Sequence, residues 1–169
     1  PNHQTFRTIP LKYRIDVAMS GRLGMEIQPE NMTQEEKDLC RKAIAEYKMI
    51  RPVVQFGDIY RLVSPYDGHN LASLMYCSED KSEAVFFWWK LEHFRNEHLP
   101  RVKMAGLDPD RMYRVTELDR IDNKPLPFEG KSFSGKYLMT AGLEIPYTHT
   151  VDYHKQNDWS SRVLYLVAE

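Results

Sequence analysis

Two carboxylates on opposite sides of a sugar can supply nucleophile and acid/base for glycoside cleavage, so the acidic pairs of this sequence are the first residues to weigh. Asp108 and Asp110 stand in Gly106-Leu107-Asp108-Pro109-Asp110, and Glu79 with Asp80 in Ser78-Glu79-Asp80-Lys81. Proline presets φ and Asp bonds its own backbone in such strings, so both read as turns rather than as an Asp-x-Asp for a metal and a sugar nucleotide. Glu26 closes the alternating run Leu23-Gly24-Met25-Glu26. It is the best-placed acid if that run is a barrel strand, because barrel chemistry gathers at strand C-termini. A single acid does not make a pair.

Other chemistries find less support. His93 with His98 and His149 with His154 are five apart, whereas a spacing of four puts two imidazoles on one helical face. Metal binding is not expected. Gly130-Lys131-Ser132 has the ending of a phosphate loop, but Pro125 stands where its first glycine belongs. Neither a dinucleotide Gly-x-Gly-x-x-Gly nor a Gly-x-Ser-x-Gly elbow is present. Cys40 and Cys77 allow at most one disulfide, too few for a four-cysteine zinc site, and their pairing is left open. Trp88 and Trp89 point to opposite faces if they lie in a strand. One is then core, while the other packs on a neighbouring unit or offers a flat ring to a sugar; Trp159 is equally ambiguous.

The elements that must carry these residues change texture near Pro52. Leu11, Ile15, Ala18 and Met19 form the stripe of a short helix over 10–19, ended by Ser20-Gly21. Leu23 to Ile27 reads as a short strand. Thr33-Gln34-Glu35-Glu36 is a capping box that opens a second helix, striped by Leu39, Ala43, Tyr47 and Ile50 and stopped at Arg51-Pro52. Beyond it, strands are expected near 58–63, 70–77, 83–91, 100–104, 111–117, 131–139 and 161–168, the spacing of an antiparallel sandwich.

The 169 residues are 42% hydrophobic, with 10 Tyr, 7 Phe and 3 Trp, which suffices for a packed core. A net charge of −1 offers no positive field to nucleic acid or to an anionic membrane. The longest apolar run, Ala84 to Trp89, is far below the roughly 20 residues of a membrane helix. Pro1-Asn2-His3-Gln4-Thr5 has neither an initiator methionine nor a signal-peptide pattern, so the chain is expected to begin within something larger.

The order of short motifs resembles a known family. Pro1-Asn2-His3-Gln4-Thr5, Pro10-Leu11-Lys12, Val17-Ala18-Met19-Ser20-Gly21, Leu23-Gly24-Met25-Glu26 and the stretch Arg51-Pro52-Val53-Val54-Gln55-Phe56-Gly57-Asp58-Ile59-Tyr60-Arg61-Leu62 are similar to the C-terminal part of family thirty-six glycoside hydrolases, the bacterial-type α-galactosidases. Ser78 to Ala84, Gly106 to Asp110, Tyr113-Arg114-Val115, Met139 to Leu143 and Ser161-Arg162 extend the resemblance over nearly the whole chain. Met25 stands where the family often has tyrosine, Phe6 where it has glycine, and Arg120 to Phe128 is less typical, which bears on subfamily rather than on fold.

The resemblance implies an α+β chain: residues 1–55 as the last helix-strand-helix segment of an incomplete (β/α)8 barrel, and 56–169 as a C-terminal antiparallel β-sandwich. The parent would be a retaining enzyme releasing terminal α-linked galactose from oligosaccharides, through an Asp nucleophile in Lys-x-Asp-x-Asn and a second Asp as acid/base. No lysine here is followed two positions later by Asp, so both catalytic residues are expected upstream and this chain is expected to be inactive. No cofactor is implied. The implied partners are the rest of the barrel and the galactoside substrate, with a homo-oligomeric parent as an option, in bacterial cytoplasm or periplasm. An N-acetylgalactosaminide substrate or galactosyl transfer stays open, since the selecting groups would lie in the missing barrel. From another class, an independent carbohydrate-binding or interaction module rests on Trp88, Trp89 and Trp159. The stripe Leu39, Ala43, Tyr47 and Ile50 is expected to be exposed where the barrel is absent, or to be covered by self-association.

Overall fold

A computed structural model describes residues 8–68, 70–92, 100–121, 124–146 and 159–169. Helix α1 (Leu11–Met19) and helix α2 (Gln34–Phe56) precede strands β1 (Asp58–Val63), β2 (Leu71–Cys77), β3 (Glu83–Lys90), β4 (Met112–Leu118) and β5 (Ser132–Ser134), helix α3 (Gly135–Thr140) and strand β6 (Ser160–Ala168). The strands form one antiparallel sheet in the order β1-β2-β3-β6-β4-β5. The C-terminal strand therefore lies in the middle, with β3 on one side and β4 on the other.

Alternation along β3 explains why the sheet has a core on each face. Ala84, Phe86 and Trp88 join Leu71, Met75, Tyr113, Val115, Leu164 and Leu166 in one core; Val85, Phe87 and Trp89 join Leu118 and Val163 in the other. The first core is roofed by an irregular layer carrying Val102, Met104, Leu107, Leu126, Phe128, Leu138 and Leu143. The second is covered by Tyr13, Ile15 and Met19 of α1 and by Ala43, Tyr47, Ile50, Val53 and Val54 of α2. The antiparallel β domain is thus present, and among the described residues the layer opposing its sheet is built of loops and α3 in place of a second regular sheet.

Several local expectations are corrected. Leu23 to Ile27 forms no ladder; Leu23, Met25 and Ile27 turn inward beside the helices, but a strand needs a neighbour and the described residues supply none. Helix α2 does not stop at Arg51 but runs through Pro52 to Phe56. Proline inside a helix costs about 3 kcal/mol, while burying Val53 and Val54 on the next turn returns roughly 1.5–3 kcal/mol each. The helical ending also keeps Gly57 N–H bonded to the Val53 carbonyl. Residues 131–139 are split, because the Ser134 hydroxyl accepts from the Tyr137 amide and caps α3 after only three strand residues. At 100–104 a single bridge remains, Val102 with Leu143. The Thr33–Glu36 capping box forms as expected, with Glu36 N–H to Thr33 Oγ1 at 3.2 Å and Thr33 N–H to Glu36 Oε2 at 2.9 Å.

Candidate functional site

The sequence candidates are mostly consumed by turns. Asp108 Oδ1 accepts from the Asp110 amide at 3.0 Å, and its other oxygen lies 3.5 Å from Arg111 Nε. Asp80 Oδ1 accepts from the Ser78 and Ser82 hydroxyls and from the Ser82 amide; these donors, Ser82 first, bring its pKa down to about 2. Gly130-Lys131-Ser132 leads into β5, with Gly130 at φ +68° donating its N–H to the Val115 carbonyl. Cys40 and Cys77 are free and buried in different cores. His93, His98, His149 and His154 lie outside the described residues. Among the described residues no three His, Cys, Asp or Glu are grouped to hold a metal ion.

The tryptophans are structural. Trp88 is fully buried beneath the irregular layer, and Trp89 stacks on Phe87 at 5.6 Å under the helices. Trp159 meets Tyr13 of α1 edge-on at 5.4 Å. The ring of Trp89 is therefore largely spent on packing the helical segment, one of its two sequence readings, with only 6% of the residue exposed.

Two hollows remain. One of about 140 Å³ lies between α1 and the extended run Leu23 to Ile27, with Arg14 and Glu26 at its walls. The other, about 430 Å³, lies beside β1 and the Pro65 turn and contains Arg61, Tyr66, Asp67 and Trp89. Each offers a single carboxylate, whereas retaining cleavage needs two about 5 Å apart. Glu26 stands exposed at the first hollow, whose described lining holds no second acid.

The carboxylates that do converge are ones the sequence left unremarked. Where α1, α2 and the end of β4 meet, Lys12 Nζ lies 2.7 Å from Asp16 Oδ2 and 3.8 Å from Asp119 Oδ2. Lys12 is 3% exposed and both aspartates 0%, so substrate cannot reach them. Glu46 of α2 accepts the Asp119 N–H at 2.6 Å, and Lys42 donates to the Arg120 carbonyl at 2.8 Å. Burial foremost pushes Asp119 up to about 8; Lys12 opposes this, and Asp16 and Glu46 add to it. Only the i, i+4 spacing of Lys12 and Asp16 was visible in sequence; Asp119 lies a hundred residues away. Behind the cluster, the hydroxyls of Tyr47 and Tyr76 donate to the Gly21 and Ser20 carbonyls, both at 2.7 Å, fastening the end of α1 to α2 and to β2.

The stripe expected to be exposed is covered instead: Ala43, Tyr47 and Ile50 are buried and Leu39 partly so, because the sheet itself packs on that face of α2.

Comparison with known proteins gives a consistent picture. The family model described as Glycosyl hydrolase family 36 C-terminal domain matches residues 71–166, and the one described as Melibiase matches residues 1–57. A probable α-galactosidase G of Aspergillus terreus is 36% identical over 168 residues, 98% of this chain and 20% of the relative. α-Galactosidase AgaA of Geobacillus stearothermophilus is 37% identical over 147 residues, 87% of this chain and 18% of its own length. The crystal structure of that enzyme superposes with a TM-score of 0.82 at 34% identity, covering 100% of this chain and 21% of its own. The α-galactosidase of Lactobacillus brevis gives 0.83 at 31% identity with the same coverage. The chain thus spans about one fifth of the relatives it matches.

Proposed function

Since the chain belongs to glycosyl hydrolase family 36, we propose that it is the C-terminal, non-catalytic part of an α-galactosidase, bracing a catalytic barrel that a longer polypeptide supplies. The observation that carries this reading is coverage: 98% of the chain aligns at 36% identity with one fifth of an α-galactosidase. In this reading residues 1–55 are the end of the barrel and 56–169 the C-terminal β domain, in keeping with α2 ending at Phe56 and with family matches over 1–57 and 71–166. The rest of the barrel docks on the hollow between α1 and Leu23 to Ile27, whose extended backbone has no ladder partner among the described residues and offers an edge to an incoming strand.

The whole protein's substrate is then a terminal α-linked galactose. Variants of the Geobacillus relative have been crystallised with raffinose and stachyose, which makes these oligosaccharides the first to try. Self-association of the whole protein is part of the same proposal. The test is hydrolysis of a nitrophenyl α-galactoside by the isolated chain and by the longer polypeptide containing it. Turnover by the longer protein alone is expected; turnover by the 169 residues, with contaminating enzyme excluded, overturns the reading.

A further inference from the structure

The Lys12, Asp16 and Asp119 cluster carries an inference that does not depend on the proposed function. One ammonium faces two carboxyl groups, all three at most 3% exposed. Lys12 satisfies Asp16 Oδ2, while Asp16 Oδ1 and both Asp119 carboxyl oxygens have no hydrogen-bond partner among the described residues. Two ionised carboxylates cannot share such a space with one cation without a large desolvation cost. A proton on one of them removes a charge and provides the donor that the orphaned oxygens lack. The surroundings say which one holds it. Asp16 has Lys12 at 2.7 Å, whereas Asp119 has Lys12 at 3.8 Å and has the Glu46 carboxylate of α2 on its own backbone amide. From α2, Lys42 lies 3.9 Å from Glu46 and the Cys40 thiol faces Asp119; from α1, Arg14 lies toward that thiol and Tyr13 toward Asp16. Glu117 and Arg162 pair at 2.6 Å, with Glu117 two residues before Asp119 in the chain.

We propose that Asp119 is a neutral acid donating its proton to Asp16, and that this shared proton is a pH-dependent clasp joining α1 and α2 to the sheet. It links three elements far apart in sequence. A positive φ of 50° at Asp119, pinned by Glu46 on its N–H and by Lys42 on the next carbonyl, holds the carboxyl toward α1. The folded chain keeps a proton that the unfolded chain releases near the ordinary Asp range, about 4. The clasp is therefore fully favourable below about 4, and its contribution declines as pH rises until Asp119 titrates in the fold.

Carboxyl-carbon NMR of the 169-residue chain between pH 4 and 9.5 tests this, with the Asp119 signal assigned through its own backbone so that no variant is needed. The expected result is a midpoint at least two pH units above the usual Asp range. A midpoint near 4 overturns the proposal. Thermal unfolding of Asp119→Asn provides the second readout: its midpoint should gain several degrees on the parent chain between pH 5 and 8.5, because the amide can donate to Asp16 and never ionises. Parallel curves over that range also overturn it.

Discussion

Asp80 Oδ1 gathers three donors within one turn, and Asp119 sits without solvent beside a single shared cation, so two residues of one type are driven in opposite directions. The Asp80 donors favour the charged form and bring it to about 2, with the Ser82 hydroxyl and amide the main causes. Substituting Ser82→Ala removes the hydroxyl and keeps the amide. The Asp80 midpoint should rise toward the ordinary value near 4, which an NMR pH titration reads directly. The sign for the native turn follows: its stabilisation is present above about 4 and is lost as pH falls through about 2. The Asp80 contribution is lost below about 4 and the Asp119 contribution declines from about 4 up to about 8, so the two together are most favourable near pH 4.

At the scale of elements, α2 shows packing overriding a local stop signal. Pro52 is exposed on the outer side of the helix, so only its missing N–H and its ring against the preceding turn matter, while Val53 and Val54 beside it are 2% and 7% exposed. Pro52→Ala restores a helical hydrogen bond at the cost of a more flexible unfolded chain. A net gain of about 1–2 kcal/mol is expected in chemical denaturation; a loss would mean that the proline sets a bend the packing needs. The loop roof has its own constraint at Gly106, where φ is +78° and an added Cβ would overlap the Tyr60 ring. That close approach lets the chain pass over β1 and keeps Cys77 Sγ within 3.4 Å of the Gly106 carbonyl.

For the whole molecule, the division near residue 56 separates two sequence textures but not two independent cores. Val85, Phe87, Trp89, Leu118 and Val163 of the sheet share their core with α1 and α2. A chain of residues 56–169 alone should consequently expose that face, bind a hydrophobic dye such as anilinonaphthalene sulfonate and lose cooperative unfolding. A cooperatively folded, dye-silent 56–169 would show that the helices are dispensable. Much of this architecture was legible in the residues: the Thr33 cap, the alternation that sends Trp88 and Trp89 to opposite faces, and the turn character of Asp80 and Asp108 all depend on neighbours within a few positions. The order of motifs likewise pointed to the family before any contact was known. What lay beyond sequence was decided by partners distant in the chain. Leu23 to Ile27 has a strand's alternation but no ladder partner among the described residues, Pro52 is carried by the burial of the next turn, and the stripe of α2 is covered by a sheet built from later strands. The acid pair that converges, Asp16 with Asp119, is brought together by the docking of α1 on the end of β4, because charge and burial are properties of the assembled space and not of the local string.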